Sequence, residues 1–458
     1  MIEDIKILLR CKESYVRIFK FLFLFFVPLA SQNKDIKIPT LDSTQIKLSL
    51  DSLLDKQNSI TLEYHLRSYD IRNHNSYYKT VDSGKVADSL ILICNNQFKD
   101  QIVKHILQPF RNISIGNQYS IMSQELSSKY YFINKIPSFQ YRIFGEKKIA
   151  ALIFLKPDFN SFLTGSFGLS KIDNQVDFIG ELDLDIENFS GNAEQLNIFW
   201  KKNKSISQKV ELRAFSQHIL GSEIGALTQY NFENYNSLFT KSEKKIMLHT
   251  FFPILNNLKV GYLKGKILST KRGEELGYTN RDFLAISINS ELDKRNNRLL
   301  PLSGNYFKLM VDSGLDEKSM YFKTNFEYQL FLQLMKRTYV KIQSVVYSIN
   351  YLSRSVPKSR YFKLGGSSSL RGVNEESILL PQFHILTLEF IHQQKRPLQI
   401  KSFIDLGFDN FANYNNYLYG YGFGIKQVND KTIFSIDYSL SSYNWESGKI
   451  HFKWSARL

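Results

Sequence analysis

A chain of 458 residues with 36 Phe and 26 Tyr but only 10 Pro is too long for one small domain and leans toward strands, because aromatic side chains pack well on a pleated surface. Its 59 Lys and Arg against 43 Asp and Glu give a net charge of +16, yet no Lys/Arg stripe falls on a predicted helix, so no nucleic-acid partner is expected. Two cysteines exclude a disulfide framework, and eight His without HxH or HExxH spacing support neither a metal site nor another cofactor.

The N-terminus suggests the compartment. Arg10, Lys12, Arg17 and Lys20 precede FLFLFFVPLAS (Phe21–Ser31), an apolar run short of the ~20 residues of a membrane helix. Ala30 and Ser31 before polar QNKD read as a cleavage site, so residues 1–31 are predicted to be a signal peptide, with an uncleaved anchor as the alternative. Cleavage removes Cys11 and leaves Cys94 alone in LILIC. No later run approaches a transmembrane helix.

Residues 32–82 carry a helix signal in QIKLSLDSLLDK and a strand signal in ITLEYHL, but no complete domain. Residues 83–157 are clearer. VADSLILIC (Val86–Cys94) reads as a strand and FKDQIVKHILQPF (Phe98–Phe110) as an amphipathic helix ended by Pro109. SIMSQELSSKYYFIN (Ser120–Asn134) is helical, and FQYRIF (Phe139–Phe144) and KKIAALIFLKP (Lys147–Pro157) are strands joined by Gly145-Glu146. Strand–helix–helix–strand–strand describes a small α/β module of plausible domain size.

From residue 158 the hydrophobic period becomes two. In QVDFIGELDLDIE, Val176, Phe178, Leu182, Leu184 and Ile186 share a face opposite Asp177, Glu181, Asp183, Asp185 and Glu187. The same alternation runs through YFKTNFEYQLFLQL and the final KIHFKWSARL. A soluble sandwich also alternates, but its strands recur about every 8–12 residues and its polar face is solvated. Longer segments with one face fully charged fit a transmembrane barrel, which needs about ten residues per span with a polar lumen. An exported chain without helical spans can cross lipid only in that way. Sixteen strands are predicted, near 161–172, 175–189, 193–204, 207–219, 224–239, 240–254, 256–270, 282–294, 304–316, 319–337, 338–352, 384–394, 398–411, 418–429, 431–441 and 448–458. With the α/β module on the inner side, the longest gap, residues 353–383, falls on the external side.

That gap contains YFKLGGSSSLRGVNEES (Tyr361–Ser377). A phosphate loop needs GxxxxGK before Ser or Thr at the start of a helix; here the next glycine follows an arginine and no helix begins. A flexible linker would not be expected to end in Leu370-Arg371-Gly372. LGGSSSLRGV resembles the long external loop of BamA/TamA-like outer-membrane assembly factors, the surface-antigen type with POTRA modules and a sixteen-stranded barrel. LLPLSGNYFKL (Leu299–Leu309), FIDLGFDNF (Phe403–Phe411) and YGYGFGIK (Tyr419–Lys426) resemble that family's mid-barrel P-x-x-G strand, its F-x-D-x-G strand and its Gly-rich penultimate region. Residues 83–157 are similar to a POTRA domain in order and size, and 32–82 leave room for a partial one. Three departures are plain: Val373 stands where the family has an aromatic ring, the chain ends in Leu458 instead of an aromatic residue, and only one POTRA-like module is clear where assembly factors often carry several.

The resemblance implies a transmembrane β-barrel over 158–458 in the outer membrane of a Gram-negative bacterium, with the POTRA-like module in the periplasm. It also implies that a loop carrying Gly365, Gly366, Leu370, Arg371 and Gly372 folds into the lumen, where the arginine meets acidic residues of the next strands. Parity supplies the acids. Leu386, Leu388 and Phe390 share one face of HILTLEFIHQ, which puts Glu389 in the lumen; Ile400, Ile404 and Leu406 do the same for Asp405. Such carboxylates suit the planar fork of an arginine.

An insertase must open a seam, because a closed barrel has no edges. The seam is expected between FLTGSFGLS (Phe162–Ser170) and KIHFKWSARL, with Gly165, Gly168, Phe452 and Trp454 as its residues. An opened seam could pair with a client strand. Expected partners are unfolded outer-membrane proteins or one exported protein, with accessory periplasmic or lipoprotein subunits and outer-membrane lipid. The alternatives are a two-partner-type translocation pore and a passive channel. An enzyme using Glu181, Asp183, Asp185 and Glu187 is not expected, since acids on a strand face more often balance charge in a lumen.

Overall fold

The computed structural model describes residues 35–57, 62–82, 85–95, 98–145, 148–172, 175–204, 207–219, 221–252, 256–367, 369–394, 397–409, 417–441 and 445–458. The signal peptide read at 1–31 lies outside them. The described residues up to Lys85, with Ser114–Gly116, form one compact unit; Val86–Ile113 and Asn117–Leu458 form the other.

The first unit contains β1 (Ile36–Ile38), α1 (Ser43–Gln57), β2 (Leu62–Asp70) and β3 (Asn75–Asp82), in an antiparallel sheet of order β1-β3-β2. Asp42 starts the helix by accepting the Thr44 N–H at 2.9 Å. Ile46 and Leu50, four residues apart and so on one face, pack with Ile38 and Tyr78. The segment that reads as incomplete thus has a small core of its own.

The second unit opens with β4 (Ser89–Cys94), α2 (Asp100–Leu107), α3 (Asn117–Lys129), β5 (Ser138–Phe144) and β6 (Lys148–Leu155). The sheet order is β4-β6-β5, with β4 parallel and β5 antiparallel to β6. Ile102 and Ile106 of α2, Tyr119 and Leu126 of α3, and Ile153 of β6 are buried together with Phe110 and Phe132. Pro109 lies in a 3-10 turn, Gln108–Phe110, because it has no N–H to continue α2.

The remainder is a closed antiparallel barrel of sixteen strands. In order these are β7 (Phe162–Ile172), β8 (Gln175–Glu187), β9 (Gln195–Lys204), β10 (Ser207–Ser216), β11 (Gly225–Tyr235), β12 (Phe239–Phe252), β13 (Asn256–Ser269), β14 (Arg281–Asp293), β15 (Gly304–Asp316), β16 (Ser319–Met335) and β17 (Thr338–Tyr351). After a hairpin of β18 (Phe362–Leu364) and β19 (Ile378–Leu380) come β20 (Gln382–Gln393), β21 (Leu398–Phe408), β22 (Tyr417–Val428), β23 (Thr432–Leu440) and β24 (Lys449–Arg457). A short helix, α4 (Lys271–Glu275), lies in the β13–β14 link.

The strand count and the alternation agree with the reading from sequence. Differences sit at the turns: β11 stops at Tyr235 because Asn236 and Ser237 take φ of 47° and 53°, and β9 starts only after Ala193 at φ 55°. On β12, Glu243, Lys245 and His249 are buried toward the lumen while Ile246 and Leu248 are 63% and 57% exposed outward. Charge inside and apolar side chains outside is the pattern lipid imposes on a barrel. No helix among the described residues is long and apolar enough to cross a membrane.

Candidate functional site: the loop inside the barrel and the seam

The segment between β17 and β20 folds inward. β18 pairs β19 through Phe362↔Leu380 and Leu364↔Ile378. Leu364 and Leu370 then pack on Phe383 and Ile385 of β20, joined by Val345 and Tyr347 of β17 and by Val373. All four wall residues lie on the lumenal parity of their strands. Val373, standing where an aromatic ring was expected, is therefore still a docking residue of the loop.

Arg371 lies beside this wedge. Its Nε and Nη2 donate to the two oxygens of Asp405, both at 2.7 Å, and Nη1 donates to Glu389 at 2.7 Å. The three are 7%, 0% and 6% exposed for Arg371, Asp405 and Glu389. The Phe403 ring lies under the guanidinium at 3.5 Å. Thr387, the register partner of Asp405, adds a hydroxyl donor at 2.8 Å, and Lys341 stands 3.6 Å from Glu389. A guanidinium gripping one carboxylate edge-on and a second by its free corner fixes position as well as charge. Gly372, at φ +89°, turns the chain where a Cβ would meet the Leu440 carbonyl at 2.6 Å. On β22, a Cβ on Gly420 would overlap the Arg371 carbonyl, so the loop backbone lies directly on that wall. Gly365 donates its N–H to Ser369 at 2.8 Å, and Gly366 to the Leu370 carbonyl at 3.1 Å, which shapes the bend before the arginine.

Several anchors have no sequence signal. Arg360, also in the loop, is 5% exposed. Its guanidinium lies 3.7 Å from the Phe283 ring and 4.6 Å from Tyr321, with Glu243 at 3.8 Å. Lys363 pairs with Glu233, and Lys201 with Glu375 at 2.8 Å. The Gly372 carbonyl accepts from Lys449 at 3.0 Å. The loop is thus tied to β9, β11, β12, β20, β21 and β24 and spans the lumen as a plug. Only the motif around Arg371 marks it in the sequence; Arg360 needs aromatics from two distant strands to be recognised.

The acids of β8 are engaged. Asn197 donates to Asp183 and Asp185 at 2.8 and 2.7 Å, and Glu181 lies 3.8 Å from Lys201.

At the seam the first and last strands of the barrel meet over a short stretch. β24 pairs β7 through Ser455↔Thr164, Ala456↔Leu163 and Arg457↔Phe162. None of Gly165, Gly168, Phe452 and Trp454 pairs across it. Gly165 and Gly168 face Leu182 and Ile179 of β8; Phe452 and Trp454 face Ile436 and Phe434 of β23 and are 56% and 42% exposed outward. The reason is register. The first and last barrel strands meet without a turn to set their offset, and the two run together only near the module end. The Thr164 hydroxyl donates to Ser455 at 2.6 Å on the lumenal side.

The α/β module meets the barrel at the β10–β11 turn. The rings of His105 (α2) and His218 (turn) stack at 4.0 Å between centroids. His218 Nδ1 donates to the Ser222 carbonyl at 2.8 Å, so its Nε2 accepts from the Tyr130 hydroxyl at 2.9 Å. His105 faces the Gly221 carbonyl at 3.0 Å and Glu223 at 3.3 Å, and Lys129 reaches Glu223 at 3.1 Å. Burial, with His105 and Lys129 adding to it, holds His218 down at about 4 from the ordinary 6.5. Burial pushes the Glu223 carboxyl up, but Lys129 and His105 outweigh it and keep it below the ordinary value. His249 of β12 is the further titratable ring in this field.

A depressed histidine resists a proton that the released turn accepts, so docking stability is fully present above 6.5 and is lost as pH falls toward 4. Amide protection factors across 217–224 and 129–132, taken relative to the intrinsic exchange rate at each pH, should fall at pH 4.5 relative to pH 7.5, and His218→Gln, which does not titrate, should flatten that response. Equal pH profiles in both chains would assign the joint's pH dependence to other groups.

A family model described as the Omp85 superfamily domain matches residues 188–425, more than half of the chain. No curated protein sequence matches it. Among solved structures the chain is similar to BamA from Haemophilus ducreyi lacking POTRA domains 1-3, at 12% identity and TM-score 0.52, covering 91% of this chain and 93% of that one. It is similar to CdiB from Escherichia coli at 11% identity and TM-score 0.55, covering 94% and 92%. CdiB from Acinetobacter baumannii matches at 14% identity and TM-score 0.53, covering 91% and 81%. At such identities the likeness is one of fold.

Proposed function

This chain belongs to the Omp85 superfamily of outer-membrane β-barrels, and from that premise we propose that it is an assembly and insertion factor for outer-membrane proteins. In this reading residues 83–157 are a POTRA domain in the periplasm, the barrel spans the outer membrane of a Gram-negative bacterium, and clients enter lipid through the β7–β24 seam. The observation that carries it is the shortness of that seam. The two strands part after Thr164 and Ser455, while neighbouring strands stay paired along most of their length.

Among the described residues, β7 beyond Thr164 pairs only β8, and β24 before Ser455 pairs only β23. Their remaining N–H and C=O groups form a ready-made template for an incoming strand. Outward-facing Ile450, Phe452 and Trp454 would meet lipid beside it. No nucleotide is required, because the client's own folding in lipid supplies the driving force.

A second reading, a pore exporting one dedicated protein, draws support from the chamber of about 400 Å³ inside the barrel. A passive channel has no use for a plug tied to walls on many sides. Reconstitution separates the first two. Vesicles carrying the protein should fold an added, unfolded outer-membrane protein at least tenfold faster than empty vesicles. No acceleration, together with loss of one secreted protein from cells lacking the chain, would replace insertion by export.

A further inference from the structure

The link between β14 and β15 does not turn back at once. Its sequence RNNRLLPLS (residues 295–303) is braced by its own asparagines. Asn297 accepts the N–H groups of Leu299 and Leu300 at 2.8 and 2.9 Å, and Asn296 those of Leu302 and Ser303 at 2.9 and 3.2 Å. Such side-chain-to-backbone bonds hold a loop in one shape without strand pairing.

The shaped segment reaches across the barrel. Arg298 donates to both oxygens of Glu187 on β8, at 3.0 and 3.1 Å. It also donates to the Asp158 carbonyl in the link from the α/β module, and the Tyr131 ring of that module lies 5.6 Å from it. The next carbonyl, Leu299, accepts from Lys426 of β22 at 2.6 Å. In barrel order the segment leaves from the eighth and ninth strands, whereas β8 is the second and β22 the fourteenth. Those two flank the seam between the sixteenth and the first. The segment therefore crosses the module-end mouth and holds the walls on either side of the seam. Above it lies the chamber, with Arg295, Arg298, Leu299 and Pro301 on one side and Ser367, Ser369 and Arg371 of the plug on the other.

We propose that residues 295–303 are a strap that closes the module end of the barrel and clasps the walls flanking the seam, with Arg298 as its pin. The pin is releasable. Arg371 uses all three of its nitrogens, whereas the buried Nε of Arg298 has no partner among the described residues. Two of the pin's contacts, Asp158 and Tyr131, belong to the module side, so a displaced module would draw Arg298 off Glu187 and let the strap swing. This deepens the insertion reading, because it gives the module a mechanical route to the seam.

The test reads access to the chamber and uses no client, so its outcome is separate from that of the insertion assay. In the full chain with Cys11→Ala and Cys94→Ala, Gln343→Cys places a single thiol in the chamber wall, and its labelling by a bulky fluorescent maleimide is timed. Labelling should be slow with the strap pinned and at least tenfold faster in Arg298→Ala. Glu187→Gln should fall between them, and the charge exchange of Arg298→Glu with Glu187→Arg should restore slow labelling. Heat-modifiable gel migration checks that each barrel is folded; should Arg298→Ala fail there, the Glu187→Gln chain decides. A folded Arg298→Ala or Glu187→Gln barrel labelled at the parent rate would overturn the strap. So would acceleration that the charge exchange leaves in place, because the pin would then not be the Arg298–Glu187 pair.

Discussion

Joining Thr164→Cys to Ser455→Cys by a disulfide should abolish outer-membrane protein assembly, and reductant should restore it. The two positions are register partners whose hydroxyls already meet at 2.6 Å. Directly opposed residues on antiparallel strands have Cα atoms roughly 4.5–5.5 Å apart, within the range of about 4.4–6.8 Å that a disulfide bridges. The effect should be large because so little else holds the seam. Each backbone hydrogen bond contributes only about 1 kcal/mol net in water, and rather more in lipid, where a freed group finds no solvent. A seam of this length can open at a cost that client pairing offsets; a covalent bond cannot. A pair at Gly168 and Phe452, which face β8 and β23 instead of each other, should crosslink poorly. A lock that forms fully and leaves assembly unchanged would end the insertase reading and keep the barrel. Export of a dedicated protein that survives the lock, yet fails in an Arg371 variant, would select the exporter.

Arg371→Ala is the second substitution with a large expected effect. It strips Asp405, fully buried, of two charge-assisted bonds and Glu389 of one. What remains is the backbone N–H of residue 371 at 3.3 Å and the Thr387 hydroxyl on Asp405, and Lys341 at 3.6 Å from Glu389. Breaking one side of a buried ion pair typically costs about 3–5 kcal/mol, enough to undock this part of the plug. Loop 352–381 should become protease-sensitive and assembly should fall. Arg371→Lys keeps the charge without the fork and should fall between.

Arg354→Ala is the control. Arg354 binds Asp316 at 2.8 Å and Glu317 at 3.2 Å, but Asp316 keeps Arg281 and the Tyr351 hydroxyl when it is gone. Its effect should be the milder. Arg371→Ala combined with Asp405→Ala should cost less than the sum of the two, since the second change removes the charge that the first strands. Additive and equally mild effects at all these sites would remove the plug as a functional element.

Much of this architecture follows from the order of residues alone, and the reason is local. Lipid outside and a charged lumen inside impose a period of two on every span. The strand count and the inward aim of Glu389 and Asp405 could therefore be read without knowing where any strand sits in space. The Leu-Arg-Gly stretch is legible for a related reason, since its glycines and single arginine form one continuous signal.

Whatever depends on closure is not local. The seam register is decided by how sixteen tilted strands meet, with no turn between β24 and β7 to hold the offset, and so pairing is confined to Phe162–Thr164 and Ser455–Arg457, while Gly165, Gly168, Phe452 and Trp454 lie on stretches of the same two strands that do not pair across the seam. Arg360 finds its slot only when β14 and β16 bring Phe283 and Tyr321 to one side. Arg298 reaches Glu187 only because the barrel closes and brings β8 opposite the β14–β15 link. Alternation is a property of neighbours along the chain, whereas contacts across a lumen belong to the closed ring.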